Sequence, residues 1–329
     1  MEILVQPLNR QINVVAGSNL LDALLSHAIP ISYSCMSGRC GTCRCKVLHG
    51  SVVHVDATAG QPPQHGDYFL ACQCTVETDC VIEVPEPDEV VMHPARTLKG
   101  TVTAFEALAH DVRRVRLKLN KPLEFSPGQY VTLQFWPEAV RSYSMAGLCG
   151  DDELEFHVRI VPDGRVTALL DERLALGAAI KVNGPMGASY LRRKHLGPML
   201  CIAGGTGLAP MLSVIRGALE SGMPNDIHLY FGVRAERDVY GVSMLEALAR
   251  DFPRFHYHIV LSSPGPDQPS AYLTGWVTDV VAEHFPRLDG WKVYLAGPPP
   301  MVEAANTLVS QLGVPFEHIH ADAFYASGA

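Results

Sequence analysis

Three patterns of apolar and polar positions follow one another along the chain. In the first, short strand-like runs at 1–6, 45–48 and 81–84 surround one helical stretch at 19–27. In the second, from Thr97 to about His195, apolar and polar residues alternate through "TVTAF", "VRRVRLKL", "YVTLQF" and "ELEFHVRI", which predicts an antiparallel barrel. In the third, apolar runs such as "MLCIAG", "IHLYFGV" and "WKVYLAG" alternate with helix-like stretches. This predicts a parallel sheet with helices on both faces.

The three patterns divide the 329 residues into three predicted domains, 1–92, 93–196 and 197–329. A chain of this length is too long for one ordinary core. The segment "EVPEPDEVVMHPAR", 83–96, has three prolines and no helical period, which is typical of a linker. The predicted fold class is therefore a multidomain combination of α+β and α/β.

Composition narrows the classes of function. The net charge of -8 argues against nucleic-acid binding, which needs a basic face. The longest uncharged run, 196–215, is broken by several glycines and prolines, so a strand, a turn and a helix fit it better than a membrane span. The first residues, "MEILV", lack the layout of a secretory signal. We therefore expect a cytoplasmic protein, where cysteines are more often metal ligands or redox groups than disulfides.

The densest chemical signal is "SCMSGRCGTCRC", which holds four of the nine cysteines. Cys35, Cys40 and Cys43 have the spacing C-x4-C-x2-C of plant-type [2Fe–2S] ferredoxins, which need one more distant cysteine. Cys72 in "LACQC" is the expected fourth ligand, and Cys74 is its rival. Ordinary buried thiols are one alternative. A zinc site is another, although zinc sites favour paired C-x2-C units and only one such unit is present.

The other cysteines do not fit the ligand spacing. Cys45 is expected at the start of a strand that points away from the loop. Cys80, Cys149 and Cys201 are expected to be small core residues.

The chain resembles the reductase component of bacterial aromatic-ring-hydroxylating dioxygenases, and most of all the naphthalene dioxygenase reductase group. The resemblance covers essentially the whole chain, through "SCMSGRCGTCRC", "HPAR", "EFSPGQY", "RSYSMAG", "GGTGLAP", "YFGVR" and "HADAFY". It implies a β-grasp [2Fe–2S] ferredoxin domain, a six-stranded antiparallel FAD-binding β-barrel and a Rossmann-like NAD-binding domain of the ferredoxin-NADP reductase type.

The segment "RSYS" resembles the flavin-binding R-x-Y-S/T of this family. By resemblance, Arg141 pairs with a flavin phosphate, Tyr143 stacks on the isoalloxazine ring and Ser144 hydrogen-bonds its N5 edge, while Ser142 completes the motif. A helix N-terminus that holds the pyrophosphate is expected at Gly164, Arg165, Val166 and Thr167. FAD is favoured over FMN because relatives with an N-terminal ferredoxin domain use FAD.

The segment "CIAGGTGLAPM" places a glycine-rich turn between an apolar strand and a helix; the turn consists of Gly204, Gly205, Thr206 and Gly207. Glycines let the backbone approach a phosphate, and the helix N-terminus favours its charge. A purely structural turn is the alternative. Arg234 is expected near the ribose, where it and Arg237 can accept a 2′-phosphate. The resemblance nevertheless favours NADH, with NADPH as the alternative.

The segment "LAGPPPM", with Ala296, Gly297 and Met301, resembles the family's C-G-x-x-x-M near the nicotinamide. Phe324 is expected, with Tyr143 and Ser144, at the reacting rings. Ala296 stands where the family usually carries a cysteine that helps hold the nicotinamide against flavin N5. Because hydride transfer needs a close, aligned approach, we expect an active enzyme whose hydride step is slower than it would be with cysteine.

The resemblance implies electron flow from NADH to FAD, then to the [2Fe–2S] cluster, and on to a Rieske-type ferredoxin that serves a terminal oxygenase. We expect a monomer with no membrane or nucleic-acid partner. Direct reduction of the oxygenase is one alternative, and a non-enzymatic iron–sulfur sensor is another. Arg39, Arg44 and Lys46 can steer an acidic ferredoxin or offset the charge of the cluster; the second role is favoured because steering usually needs a wider basic patch.

Overall fold

The computed structural model describes residues 1–33, 36, 38, 41–55, 68–161, 164, 166–263 and 271–325. The chain forms two compact units, Met1–Met92 and His93–Ala329. This division gives two units where the sequence predicts three domains, so the three domain boundaries stay predictions.

The first unit combines two small sheets with one helix. Its elements are β1 (Glu2–Gln6), β2 (Arg10–Asn13), β3 (Ser18–Asn19), α1 (Leu20–Ser26), β4 (Arg44–His49), β5 (Val52–His54), β6 (Tyr68–Leu70), β7 (Cys74–Val76) and β8 (Cys80–Glu83). One sheet has the order β2-β1-β8-β4-β6, with β1 and β8 parallel, and the other has the order β3-β7-β5. Apolar side chains from both sheets and α1 form one core.

Helix α1 is tied to the segment that carries Cys72. The side-chain oxygen of Asn19 accepts the N–H of Asp22 at 3.3 Å, an N-cap of a kind that contributes about 1 kcal/mol. The amide nitrogen of the same Asn19 donates to the carbonyl oxygen of Cys72 at 2.9 Å. The helix cap therefore also holds the backbone of the cysteine segment.

The second unit begins with a six-stranded antiparallel barrel, as the alternation predicted. Its elements are β9 (Arg96–Ala109), β10 (Val112–Leu119), β11 (Tyr130–Trp136), β12 (Ala139–Ser144), β13 (Leu154–Arg159), α2 (Leu170–Arg173) and β14 (Ala179–Met186). The order is β12-β11-β14-β9-β10-β13, and a bridge between Met145 and Phe156 brings the two edges together. Every second residue of β11 points into the barrel core, including Val131, Leu133 and Phe135.

A six-stranded parallel sheet completes the second unit. Its elements are β15 (Met199–Gly204), α3 (Leu208–Glu220), β16 (Ile227–Val233), α4 (Val242–Asp251), β17 (Phe255–Leu261), β18 (Leu273–Thr274), α5 (Val277–His284), β19 (Lys292–Gly297), α6 (Pro299–Gln311) and β20 (Ile319–Ala323). The order is β18-β17-β16-β15-β19-β20. Helices α3 and α4 cover one face and α5 and α6 the other, so the predicted fold class is confirmed.

The strand order reverses beside β15. The chain moves outward from β15 through β16 and β17, then returns to place β19 on the other side. In open α/β sheets, ligands bind outside the carboxyl ends of the strands at such a switch point. The ends of β15 and β19, at Gly204 and Gly297, therefore mark the expected crevice.

Two expectations about individual segments are corrected. Cys149 is exposed and not a core residue, because it lies in a tight loop where the N–H of Leu148 bonds the carboxylate of Asp151 at 2.8 Å. The predicted linker ends in a strand, since β9 begins at Arg96. None of the helices in the described part of the chain is long and apolar enough to cross a membrane.

Candidate functional site

Cys43 and Cys72 lie together at one end of the first core. The backbone N–H of Cys72 points at the sulfur of Cys43, 3.4 Å away, and the N–H of Ala71 donates to the carbonyl of Cys43 at 2.7 Å. A hydrogen bond with Cys43 lowers the pKa of the Cys72 thiol to about 6, against the opposing effect of burial. Cys72 thus ionises more readily than an ordinary thiol, as a metal ligand must. Cys35 and Cys40 lie outside the described residues.

The neighbouring thiols have a different environment. Cys74 is fully buried on β7, and burial raises the pKa of its thiol to about 11. Cys45 is also fully buried, and burial raises the pKa of its thiol further still. The pKa of the Cys72 thiol is lowered whereas that of the Cys74 thiol is raised, which favours Cys72 over Cys74 as the fourth ligand.

Gln73 lies beside the ligand sulfur, although no sequence motif marks it. Its side-chain amide nitrogen lies 3.5 Å from the sulfur of Cys72 and 3.3 Å from the carbonyl oxygen of Cys72. Gly38 packs against it: a Cβ at Gly38, where φ is +77°, would lie 2.9 Å from Gln73 Cγ. The glycine in the loop therefore makes room for a side-chain donor at the ligand sulfur.

Two of the three basic residues at the cysteine loop are described, Arg44 and Lys46. Arg44 is only 7% exposed, so it cannot offer its guanidinium to a partner, and its steering role is unsupported. The ammonium of Lys46 lies 4.6 Å from the centre of the Tyr68 ring. Arg39 lies outside the described residues.

In the second unit, β12 ends in the predicted flavin motif. The hydroxyl of Tyr143 is buried and has no hydrogen-bond partner among the described residues, while its ring packs edge-on against Phe135. Burial raises the pKa of Tyr143, so the phenol stays neutral. A buried hydroxyl that lacks a partner fits a site completed by a bound polar group. Arg141 is partly buried, and Ser142 is exposed.

Ser144 contacts a residue that the sequence analysis did not select. Its hydroxyl donates to a carboxylate oxygen of Asp322 on β20 at 2.9 Å, across 178 positions of the chain. Burial raises the pKa of Asp322 to about 6, although the hydrogen bond from Ser144 acts the other way. Asp322 is the register partner of Ala296 on β19. The flavin motif and the carboxyl end of the parallel sheet therefore meet at this hydrogen bond.

The predicted pyrophosphate segment, 164–167, ends where a short helical turn begins. A 3₁₀ turn at Thr167–Leu169 leads into α2, and the hydroxyl of Thr167 accepts the N–H of Val161 at 3.1 Å. Val166 lies in the barrel core, so it has only its backbone to offer a ligand. Gly164 is described and partly buried, whereas Arg165 lies outside the described residues.

The glycine-rich turn leads from β15 into helix α3. A Cβ at Gly207 would collide with the carbonyl oxygen of Ala296, so this glycine lets β19 approach closely. Gly205 has φ of +54° and opens toward free space, with Arg159 Nη1 as the nearest group, 3.9 Å from the position of a Cβ. Thr206 is partly buried between them. The turn thus combines a structural glycine with one that leaves room for a phosphate.

Arg159 is a second residue that the sequence analysis missed. It ends β13, and its Nε donates to a carboxylate oxygen of Asp111 at 2.7 Å while Nη1 remains near Gly205. A guanidinium held beside a glycine-rich turn suits a phosphate group. In the sequence, Arg159 was only one polar position in an alternating strand.

The predicted nicotinamide residues differ in their burial. Ala296 is fully buried, and a Cβ at Gly204 would lie 2.9 Å from the sulfur of Met301, so both side chains pack inside the crevice wall. Gly297 has φ of +138°, and its carbonyl accepts the N–H of Phe324 at 2.9 Å. Arg234 is exposed beyond the end of β16.

Comparison with known proteins finds three domain families along the chain. Family descriptions match at residues 3–77 (2Fe-2S iron-sulfur cluster binding domain), 99–190 (oxidoreductase FAD-binding domain) and 201–307 (oxidoreductase NAD-binding domain). The chain is 56% identical over the full length of both chains to the ferredoxin–NAD(P)+ reductase component of naphthalene 1,2-dioxygenase/salicylate 5-hydroxylase systems from Ralstonia sp.. It is 54% identical, again over both full lengths, to the reductase component of the naphthalene 1,2-dioxygenase system of Pseudomonas putida. The chain belongs to the reductase components of aromatic dioxygenase systems.

Solved structures give the same picture of this reductase. A cytochrome P450 reductase of Amycolatopsis aligns with a TM-score of 0.72 at 35% identity, covering 98% of each chain. The ferredoxin reductase in carbazole 1,9a-dioxygenase aligns with a TM-score of 0.68 at 31% identity, again over 98% of each chain. The reductase carries domains for a [2Fe–2S] cluster, FAD and NAD, so the predicted cofactor classes are confirmed.

Proposed function

We propose that this reductase takes a hydride from NADH and supplies single electrons to a Rieske-type ferredoxin, which serves the terminal oxygenase of an aromatic-ring dioxygenase system. The observation that carries the proposal is the 2.9 Å hydrogen bond between Ser144 and Asp322. It joins the end of the flavin motif to the carboxyl ends of the strands where a dinucleotide binds. When bound, FAD accepts the two electrons of the hydride, and the [2Fe–2S] cluster passes them on one at a time.

The residues of the chain have binding and positioning roles in this proposal. Gly205 and the N-terminus of α3 receive the pyrophosphate of NADH, and Arg159 pairs with its charge. Tyr143 and Ser144 present a neutral phenol and a hydroxyl to the flavin. Cys72 joins Cys35, Cys40 and Cys43 as the cluster ligands, with Gln73 donating toward the sulfur of Cys72.

Two choices depend on the names of the relatives. The names of the 56% and 54% identical relatives give NAD(P)+ as the nucleotide and ferredoxin as the acceptor. We favour NADH, with NADPH second because Arg234 and Arg237 are exposed beyond β16 and can meet a 2′-phosphate. Direct reduction of an oxygenase is the second candidate acceptor route. A monomer in the cytoplasm stays a prediction.

An anaerobic titration of the purified holoprotein with NADH tests the function. Absorption reports the flavin and electron paramagnetic resonance (EPR) reports the reduced cluster, so both the cofactors and their order of reduction are measured. Mixing with oxygenase, with and without ferredoxin, then distinguishes the two acceptor routes. NADH-dependent reduction of an artificial acceptor would exclude the alternative of a non-enzymatic iron–sulfur sensor.

A further inference from the structure

A chain of buried polar groups connects the barrel to the glycine-rich turn. His157 on β13 has a fully buried side chain, and its Nδ1 lies 3.2 Å from the hydroxyl of Tyr240. The two rings pack edge to face, 5.3 Å between centres. The hydroxyl of Tyr240 donates in turn to the carbonyl oxygen of Gly205 at 3.4 Å. The barrel therefore reaches the turn through two side chains.

At the barrel end, this series of hydrogen bonds begins with an ion pair. Nε2 of His157 lies 3.2 Å from one carboxylate oxygen of Glu155, and Nε of Arg116 lies 2.8 Å from the other. Arg116 and Glu155 are register partners on β10 and β13. Burial acts to raise the pKa of Glu155, but the hydrogen bonds and charges of His157 and Arg116 lower it to about 2. Glu155 is thus a fixed carboxylate that accepts from His157.

The groups between Arg116 and Gly205 form one continuous series of hydrogen-bond contacts. Glu155 only accepts, so Nε2 of His157 carries a hydrogen. The hydroxyl of Tyr240 lies within hydrogen-bond distance of both Nδ1 of His157 and the carbonyl oxygen of Gly205, so it links the histidine to the turn.

The contact at Gly205 supports the direction of a backbone donor, together with the N–H of Leu208, which bonds the same carbonyl oxygen. In a planar trans peptide, the carbonyl of one residue and the N–H of the next point in opposite directions. Holding the Gly205 carbonyl toward buried Tyr240 turns the N–H of Thr206 away from the interior. That N–H belongs to the turn that precedes α3, where backbone donors can meet a phosphate.

We propose that His157 and Tyr240 are positioning residues that fix the Gly205 turn, and with it the pyrophosphate of the nicotinamide nucleotide, against the flavin barrel. The proposal rests on the function given above. It assigns no chemical step to either side chain. Its consequence is that loss of the Tyr240 hydroxyl weakens nucleotide binding much more than it slows hydride transfer.

The parallel sheet of the second unit supplies a matched control. The hydroxyl of Tyr230 on β16 bonds Nδ1 of His284 at 2.7 Å, so Tyr230 also forms a tyrosine–histidine pair. Tyr230 packs in the core under α5 and α6, whereas Tyr240 packs in the core under α3 and α4. Tyr230→Phe therefore removes a shorter hydrogen bond of the same kind on the other face of the sheet.

The experiment compares Tyr240→Phe and Tyr230→Phe with the wild type as FAD-loaded, cluster-loaded holoproteins. We expect Tyr240→Phe to raise the NADH concentration for half-maximal flavin reduction about fivefold, the size of one ordinary hydrogen bond, with the limiting rate changed less than about twofold. Tyr230→Phe leaves both values unchanged. His157→Gln keeps an amide donor and retains more affinity than His157→Leu. Equal nucleotide affinity in Tyr240→Phe and wild type would overturn the proposal.

Calorimetric titration with NAD+ measures the same contact without turnover. A wild-type protein that binds NAD+ but reduces no flavin would refute the proposed function alone. A fivefold weaker NAD+ affinity in Tyr240→Phe would still support the positioning role in that case. A wild type that binds neither NAD+ nor NADP+ would refute both.

Discussion

The cluster unit and the flavin–nucleotide unit assemble their sites in different ways. In the first, Cys43 and Cys72 meet within one small core, and the donor Gln73 is the next residue along the chain. In the second, Ser144 meets Asp322 and His157 meets Tyr240 across 178 and 83 positions of the chain. The two sites therefore depend on different properties of the protein. The cluster depends on the chemical identity of a few sulfurs, whereas hydride transfer depends on how the barrel and the parallel sheet pack.

The largest expected effect tests ligand identity. Cys72→Ser removes a readily ionised sulfur next to Cys43 and should abolish or strongly change the EPR signal of the reduced cluster. Cys74→Ser is the matched control, since the Cys74 thiol is buried in the apolar core and its pKa is raised. We expect it to leave the signal nearly intact. The opposite pattern would make Cys74 the ligand.

The second prediction concerns packing in the other unit, through Asp322. Its pKa of about 6 means that the carboxyl is ionised at pH 8 and takes the hydrogen of Ser144, but is protonated at pH 5 and can donate to Ser144. The Ser144 hydroxyl is then available to the flavin. We expect flavin reduction to speed up about fivefold as the pH falls through 6, the size of one hydrogen bond. Stopped-flow measurements between pH 5 and 8 check this.

Asp322→Asn sharpens the test because its amide donates at every pH. The variant should keep the fast, low-pH rate up to pH 8 and show no step near pH 6. The raised pKa also means that the folded protein binds the proton more tightly than the unfolded chain. The unfolding free energy of the wild type should therefore fall as the pH rises from about 4 to about 6, and the variant should lack this component. If the flavin-reduction rate of both proteins shows a step of equal size near pH 6, the step belongs to another titrating group.

The same contrast explains what the sequence could predict. Local periodicity identified the barrel strands and the parallel sheet, and cysteine spacing pointed to the cluster. Asp322, Arg159 and Tyr240 were missed because each lies in an ordinary strand or loop pattern. Their partners lie far away in the chain, so no local signal distinguishes them.

Burial is the other property that the local sequence does not give. Arg44 is a charge beside the cysteine loop, yet it lies in the first unit's sheet at 7% exposure, which argues against the less favoured steering alternative. Cys149 was assigned to the core because cysteines are often buried, yet a turn that ends at Asp151 exposes it. Strand β14 gave no strong signal, although it forms the centre of the barrel between β11 and β9. Residue type alone does not determine burial; the packing of neighbouring elements does.

A smaller effect is expected from Gln73, whose side-chain amide lies beside the sulfur of the proposed ligand Cys72. Gln73→Leu keeps the size of the side chain but removes the donor 3.5 Å from the sulfur of Cys72. Hydrogen bonds to ligand sulfurs favour the reduced cluster, so the midpoint potential should fall by about 40 mV, the equivalent of one hydrogen bond for a one-electron couple. A redox titration followed by EPR measures it. Gln11→Leu, on the exposed part of β2, should leave the potential unchanged, and an equal potential in all three proteins would remove Gln73 from the site.

The smallest effect is expected at Ala296, where the family resemblance places a cysteine. Ala296 is fully buried and packs in the same core as Leu208 and Tyr294, so the sulfur of a cysteine at this position has to be accommodated within packed surroundings. We expect Ala296→Cys to speed flavin reduction less than about threefold, with NADH affinity unchanged, because the sulfur improves alignment and adds no new binding group.

Ala203→Cys, at the fully buried register partner on β15, is the control for the cost of an added atom, which in a packed core is about 1–3 kcal/mol. If the melting temperature decreases equally in both variants and neither variant changes the rate of flavin reduction, the sulfur packs in the core. Ala296 is then neutral for hydride transfer. A faster rate in Ala296→Cys alone would show that the crevice has room for a contact that this chain lacks.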